Sequence, residues 1–183
     1  MKTIFLLFAF TVIFSVEAQA QNQLGLHTGI GLPVSSFIRI PYSSGIGVGG
    51  NLKYLLNNNF SLGASVSYYT LGAKSLYKNA GLGAMKLVPI HANAEYYFGD
   101  GNTQPFIGAD LGVTVSSISS IDGSFVSSFT DFSFAPIVGV KFGLSDGVDL
   151  FGNAKYNVIT DSDGGGSLKY VGINLGLLFN LGN

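Results

Sequence analysis

The sequence predicts an all-β fold, an eight-stranded antiparallel up-and-down β-barrel, and three observations carry that expectation. Apolar and polar residues alternate with period two in eight separate segments. The links between the segments are alternately short and long. Only 10% of the residues are charged while 47% are hydrophobic, whereas a soluble domain carries about 25% charge.

The first twenty residues form a separate unit. Lys2 supplies a positive start, Ile4 to Phe14 is an apolar run broken by Thr11, and Ala18-Gln19-Ala20 is a small-x-small cleavage pattern. The run falls short of the roughly 20 apolar residues that a spanning helix needs. Residues 1–20 are therefore expected to be a secretory signal peptide and 21–183 the barrel domain. With no cysteine in the chain, a lipid anchor, disulfides and thiolate metal sites are excluded.

The expected strands run over 24–32, 44–55, 60–71, 87–98, 105–115, 132–144, 148–159 and 168–179. In the first, Gly25, His27, Gly29 and Gly31 share the polar face. In the second, Ile46, Val48, Leu52 and Tyr54 oppose Gly47, Gly49, Asn51 and Lys53. The third sets Phe60, Leu62, Ala64, Val66 and Tyr68 against Ser61, Gly63, Ser65, Ser67 and Tyr69. The fourth sets Val88, Ile90, Ala92 and Ala94 against His91, Asn93 and Glu95, and the fifth places Gly108, Asp110 and Gly112 together. In the sixth, Phe134, Val138, Val140 and Phe142 oppose Gly139, Lys141 and Gly143. The seventh opposes Leu150, Ala154, Tyr156 and Val158 to Asp149, Asn153, Lys155 and Asn157. The eighth opposes Val171, Ile173, Leu175, Leu177 and Phe179 to Gly172, Asn174 and Gly176. Asn57-Asn58-Asn59, Gly99 to Gln104 and Ser145-Asp146-Gly147 read as tight links. The stretches 33–43, 72–86, 116–131 and 160–167 read as long loops.

A soluble barrel also alternates, so the decision rests on where charge goes. One face is nearly free of charge; the other mixes glycine with six charges. Turned outward into water, that second face would be too poor in charge to keep the protein soluble. Turned inward, it suits a lumen just wide enough for side chains to fill, with the apolar face in lipid. Short turns on one rim and long loops on the other, with aromatics near both strand ends, agree with a transmembrane barrel.

Size and pattern over the whole mature chain resemble the small outer-membrane β-barrel family, the porin-family barrel domain of OmpX and the OmpA membrane domain. The resemblance implies a bacterial outer membrane, outer-membrane lipid around the wall, and insertion by the barrel assembly machinery. That machinery favours an alternating last strand ending in an aromatic. Val171, Ile173, Leu175, Leu177 and Phe179 match, after which the chain continues to Asn183.

The expected lumen charge network is Lys53, Glu95, Asp110, Lys141, Asp149 and Lys155. Three cations and three anions in a narrow interior need pairing, so the expectation is a side-chain-plugged lumen. The alternative is a narrow porin-like channel for ions or small solutes. His27 and His91 are the candidate bases, but neither stands in the His-x-Ser pairing of barrel deacylases, and no nucleophile–base–orienter set is evident in sequence. No catalysis, cofactor, metal or nucleic-acid partner is expected. Asp161-Ser162-Asp163-Gly164 reads as a solvated hairpin tip in preference to a calcium loop. The stretch 116–131 carries Ile118, Ile121, Phe125 and Phe129. These residues either form a surface-interaction loop for an extracellular ligand or mark strands five and six as longer than drawn.

Overall fold

The computed structural model describes residues 22–122, 126–160 and 166–181. The expected signal peptide, Phe125 and Asp161 to Gly164 lie outside the described residues. Eight strands follow in order: β1 (Asn22–Pro33), β2 (Tyr42–Asn57), β3 (Phe60–Ala73), β4 (Leu82–Tyr97), β5 (Thr103–Ser120), β6 (Val126–Ser145), β7 (Val148–Thr160) and β8 (Ser167–Asn180). Each pairs antiparallel with its neighbours, and β8 closes on β1 from Gln23↔Asn180 to Pro33↔Tyr170. This is the closed eight-stranded up-and-down barrel that alternation predicts, and closure leaves no strand edge in the spanning region to be satisfied by lipid.

The short turns have local causes. Asn57 Oδ1 accepts hydrogen bonds from the backbone N–H of Asn59 at 2.9 Å and Phe60 at 2.8 Å, which fixes the β2–β3 reversal as an Asx turn. Gly99 leaves β4 at φ 79°, a conformation that costs glycine little and other residues more. The long connections carry two short helices, α1 (Ser36–Arg39) between β1 and β2 and α2 (Ser75–Asn79) between β3 and β4.

Three strands extend further than expected at the long-loop end. β4 starts at Leu82 where 87 was predicted, β5 continues to Ser120 past 115, and β6 begins at Val126 ahead of 132. The stretch 116–131 is therefore largely a paired ribbon, from Ser116↔Phe129 to Ser119↔Val126. The reason is an inversion of the pattern. Along most of the wall the apolar residues point outward, with Ile46 73% exposed and Leu26 57%. Beyond Tyr68, Leu71, Met85, Leu87 and Tyr170 turn inward at 2% exposure or less. Thr70, Lys86, Ser117 and Lys169 alternate with them on the outside. A strand leaving lipid for water exchanges its solvent, so the apolar face moves from outside to inside.

Candidate functional site

The interior is built as three layers, each assembled from residues of different strands. Nearest the short turns lie four of the six predicted lumen charges. Lys53 Nζ donates to Glu95 Oε2 at 2.5 Å and to Tyr97 Oη at 3.0 Å, while the Tyr97 hydroxyl donates to the same Glu95 oxygen at 2.5 Å. The ammonium also stands 5.3 Å from the Phe106 ring centre and 5.4 Å from that of Phe151, inside the range of cation–π attraction. Lys141 Nζ lies 4.6 Å from the Tyr97 ring centre. Asp149 accepts from Gln23 Nε2 at 3.2 Å, and Gln23 also donates to Asn180 Oδ1 at 2.7 Å. Small inner-face residues such as Gly63 opposite Lys53 and Gly108 opposite Glu95 leave room for these long chains.

The middle layer holds the other two predicted charges. Lys155 Nζ donates to Asp110 Oδ2 at 2.7 Å, and His91 Nδ1 lies 3.4 Å from the same oxygen. His91 Nε2 meets Ser133 Oγ at 2.8 Å, and Ser133 in turn shares a 2.8 Å hydrogen bond with Thr114. His27 Nε2 meets Ser67 Oγ at 3.1 Å. Across the barrel, Tyr69 donates to Asn174 at 2.5 Å, and Asn174 donates to Asn153 at 2.9 Å.

This layer corrects one expectation. Asp110, His91 and Ser133 stand in the orienter–base–nucleophile order of an acyl-transfer triad, although the sequence showed no such set. Register explains it: His91 pairs with Gly112 and Gly112 with Ser133, so β4, β5 and β6 present them at one level. Residues 42 apart in the chain meet, and no local spacing announces it. The same groups also hold other partners. Ser133 has 0% exposure, its hydroxyl is already shared with Thr114, and Lys155 neutralises Asp110.

The outer layer was missed by sequence reasoning. Ile38, Tyr42, Tyr69, Leu71, Met85, Leu87, Ile159 and Tyr170 form one buried apolar cluster inside the mouth. Ile38 reaches it from α1 and is only 1% exposed. Backbone and side-chain hydrogen bonds hold the α1 connection down. Val34 and Ser35 N–H donate to Lys169 O at 2.9 and 3.2 Å, and Lys74 Nζ donates to Arg39 O at 2.6 Å. The available signal was parity: Leu71 and Tyr69 share the inner face of Ser67, and Tyr170 that of Gly172.

The predicted surface residues separate. Ile118 packs against the apolar cluster, whereas Ile121 and Phe129 are exposed at 54% and 50%. Among the described residues, no three His, Cys, Asp or Glu side chains gather to hold a metal, and no helix is long and apolar enough to cross a membrane.

Comparison with known proteins agrees with this geometry. The fold is similar to Neisserial surface protein A, with 20% identity and a TM-score of 0.68 over 87% of this chain and 97% of that one. It is similar to Ail, the attachment invasion locus protein of Yersinia pestis, at 13% identity and TM-score 0.61 over 90% of this chain and 100% of that one. It is also similar to the outer membrane protein OprG of Pseudomonas aeruginosa, at 12% identity and TM-score 0.56 over 92% of this chain and 100% of that one. At these identities the likeness shows the fold. No curated protein matches the chain. A model of the outer membrane protein β-barrel domain matches residues 6–180, nearly the full length. The chain belongs to the outer membrane protein β-barrel domain family and is a barrel of the bacterial outer membrane.

Proposed function

We propose that this barrel conducts no solute and serves as a structural and surface-interaction protein whose lumen is closed by its own side chains. One observation supports the reading: above two layers of hydrogen-bonded polar groups, a buried apolar cluster that includes Ile38 stands at the long-loop end of the barrel. Ions crossing it would have to shed water against hydrocarbon, which is costly. The interaction surface is the ribbon of β5 and β6 at the long-loop end, with Phe129 and Ile121 exposed upon it. Ail, named for attachment, shares the architecture, and its name supports the class of role alone. We assign the Asp110–His91–Ser133 array to structure and not to catalysis.

Single-channel recording of the folded protein in a planar bilayer tests the reading, with folding verified by heat-sensitive gel migration. Silence from a folded barrel is the expected result. Discrete steps that change when Lys53, Glu95 or Lys141 is neutralised would replace it with the narrow-channel alternative.

A further inference from the structure

The cations outside the lumen are sorted to one end of the molecule and to one side of it. Apart from Lys2 and the lumen residues Lys53, Lys141 and Lys155, every Lys and Arg of the sequence lies at the long-loop end: Arg39, Lys74, Lys78, Lys86 and Lys169. The opposite rim carries Asp100 and Asp146 and no Lys or Arg. Around the outer rim the five cations follow the arc from β8 through β1, β2 and β3 to β4. Asp122 and Asp131 stand on the β5–β6 side, and Asp161 and Asp163 belong by sequence to the β7–β8 connection. Among the described residues no carboxylate forms a salt bridge with any of the five.

Two of these cations stand on the outer face of the wall at a repeated height. Lys86 pairs with Thr70, two residues beyond the outward-facing Tyr68 on the adjacent strand. Lys169 pairs with Val158, two residues beyond the outward-facing Tyr156 on its adjacent strand. Each lysine therefore stands one pleat repeat, about 6.6 Å, above an interfacial tyrosine. That is where the wall changes from apolar to polar and where lipid headgroups begin. The arc is also braced: Lys169 O holds the α1 connection, and Lys74 ties it to the α2 connection through Arg39 O.

We infer that the β8-to-β4 half of the outer rim is a binding surface for the phosphate groups of outer-leaflet lipids. Lys86 and Lys169 grip headgroups at the wall, and Arg39 and Lys78 meet them from the two short helices. The inference rests on the long connections facing outward and is independent of whether the lumen conducts.

The test uses the full protein purified from outer membranes and reconstituted in phosphatidylcholine vesicles containing about one-tenth bisphosphorylated lipid A. After gentle solubilisation, native mass spectrometry reads the ratio of the two lipids retained on the folded barrel. Wild type should enrich the bisphosphorylated lipid. Each cation near a charged lipid surface contributes about 1 kcal/mol, about fivefold in retention. Lys86→Gln with Lys169→Gln should therefore lower it by tenfold or more. Arg39→Gln with Lys78→Gln, which alters only the short helices, should lower it severalfold and serves if the strand variant folds poorly. Asp100→Asn with Asp146→Asn should leave it unchanged. Unchanged retention in both cation variants, or no preference over phosphatidylcholine, overturns the inference. Displacement of the lipid by excess soluble pyrophosphate at equal strength would overturn its assignment to lipid.

Discussion

Glu95→Ala is the perturbation that bears most directly on the charged layer nearest the short turns. The carboxylate is 3% exposed, and its Oε2 accepts from both Lys53 Nζ and the Tyr97 hydroxyl at 2.5 Å. Removing it strands a lysine that is itself only 4% exposed. Deleting one partner of a buried ion pair costs about 3–5 kcal/mol, because the remaining charge keeps its desolvation penalty and loses its attraction. Two local features bear on that range. The stranded ammonium retains the Tyr97 oxygen at 3.0 Å and the Phe106 and Phe151 rings, each ring contributing about 0.5–2 kcal/mol. The Tyr97 hydroxyl meanwhile loses its acceptor, at about 1–3 kcal/mol. The two offset, so a loss of about 3–5 kcal/mol is expected. Lys53→Met combined with Glu95→Leu should recover most of it, since both ions then vanish together. Urea unfolding in vesicles, followed by gel migration, yields the difference from the midpoint and slope. A variant within about 0.5 kcal/mol of wild type would refute the role given to this pair.

Four further outcomes follow from the same geometry. Ile38→Asp places a carboxylate in the apolar mouth and should detach α1 from it; the barrel should stay folded by gel migration while conductance steps become detectable. Gly108→Val should lower folding yield and cost about 1–3 kcal/mol or more, because its β-carbon would stand 2.6 Å from the Ala94 carbonyl oxygen and 2.9 Å from Glu95 Cγ; urea unfolding reads the loss. Phe129→Ser with Ile121→Ser should change stability by no more than about 0.5 kcal/mol while abolishing whatever surface binding whole cells display in an adhesion assay. A fluorophosphonate probe should leave Ser133 unmodified in the folded barrel, as mass spectrometry of the digested protein will show; labelling would mean that solvent reaches the Asp110–His91–Ser133 array.

Much of this protein was legible in one dimension because lipid and lumen are two solvents separated by one strand's thickness. Each side chain must choose between them, so the period-two pattern through Ile46, Val48 and Leu52, against Gly47, Gly49, Asn51 and Lys53, writes both the strand and its inside face into the sequence. Turn chemistry at Asn57 and Gly99 supplied the short rim. The six lumen charges were legible as inward-facing for the same reason. Their partners were not, since Lys53 and Glu95 sit two strands apart at 42 residues' separation, and only the register of closure brings them to one level. Register likewise created the His91–Ser133 contact that no spacing suggested.

The mouth was hidden by the inversion. Around Tyr69, Leu71, Met85 and Leu87 the inner face becomes apolar just as the outer face becomes polar. Adjacent to the lipid-facing pattern below, this change of sense blurs the alternation and makes strand look like loop. The sequence by itself thus determined the number of strands, their order, and which face meets lipid, because each of those is a choice made residue by residue. Only the tertiary structure decided which buried ions neutralise one another, how far β5 and β6 rise, and that Ile38 occupies the mouth. Those depend on where the closed wall places residues distant in sequence, and a one-dimensional pattern carries no record of that distance.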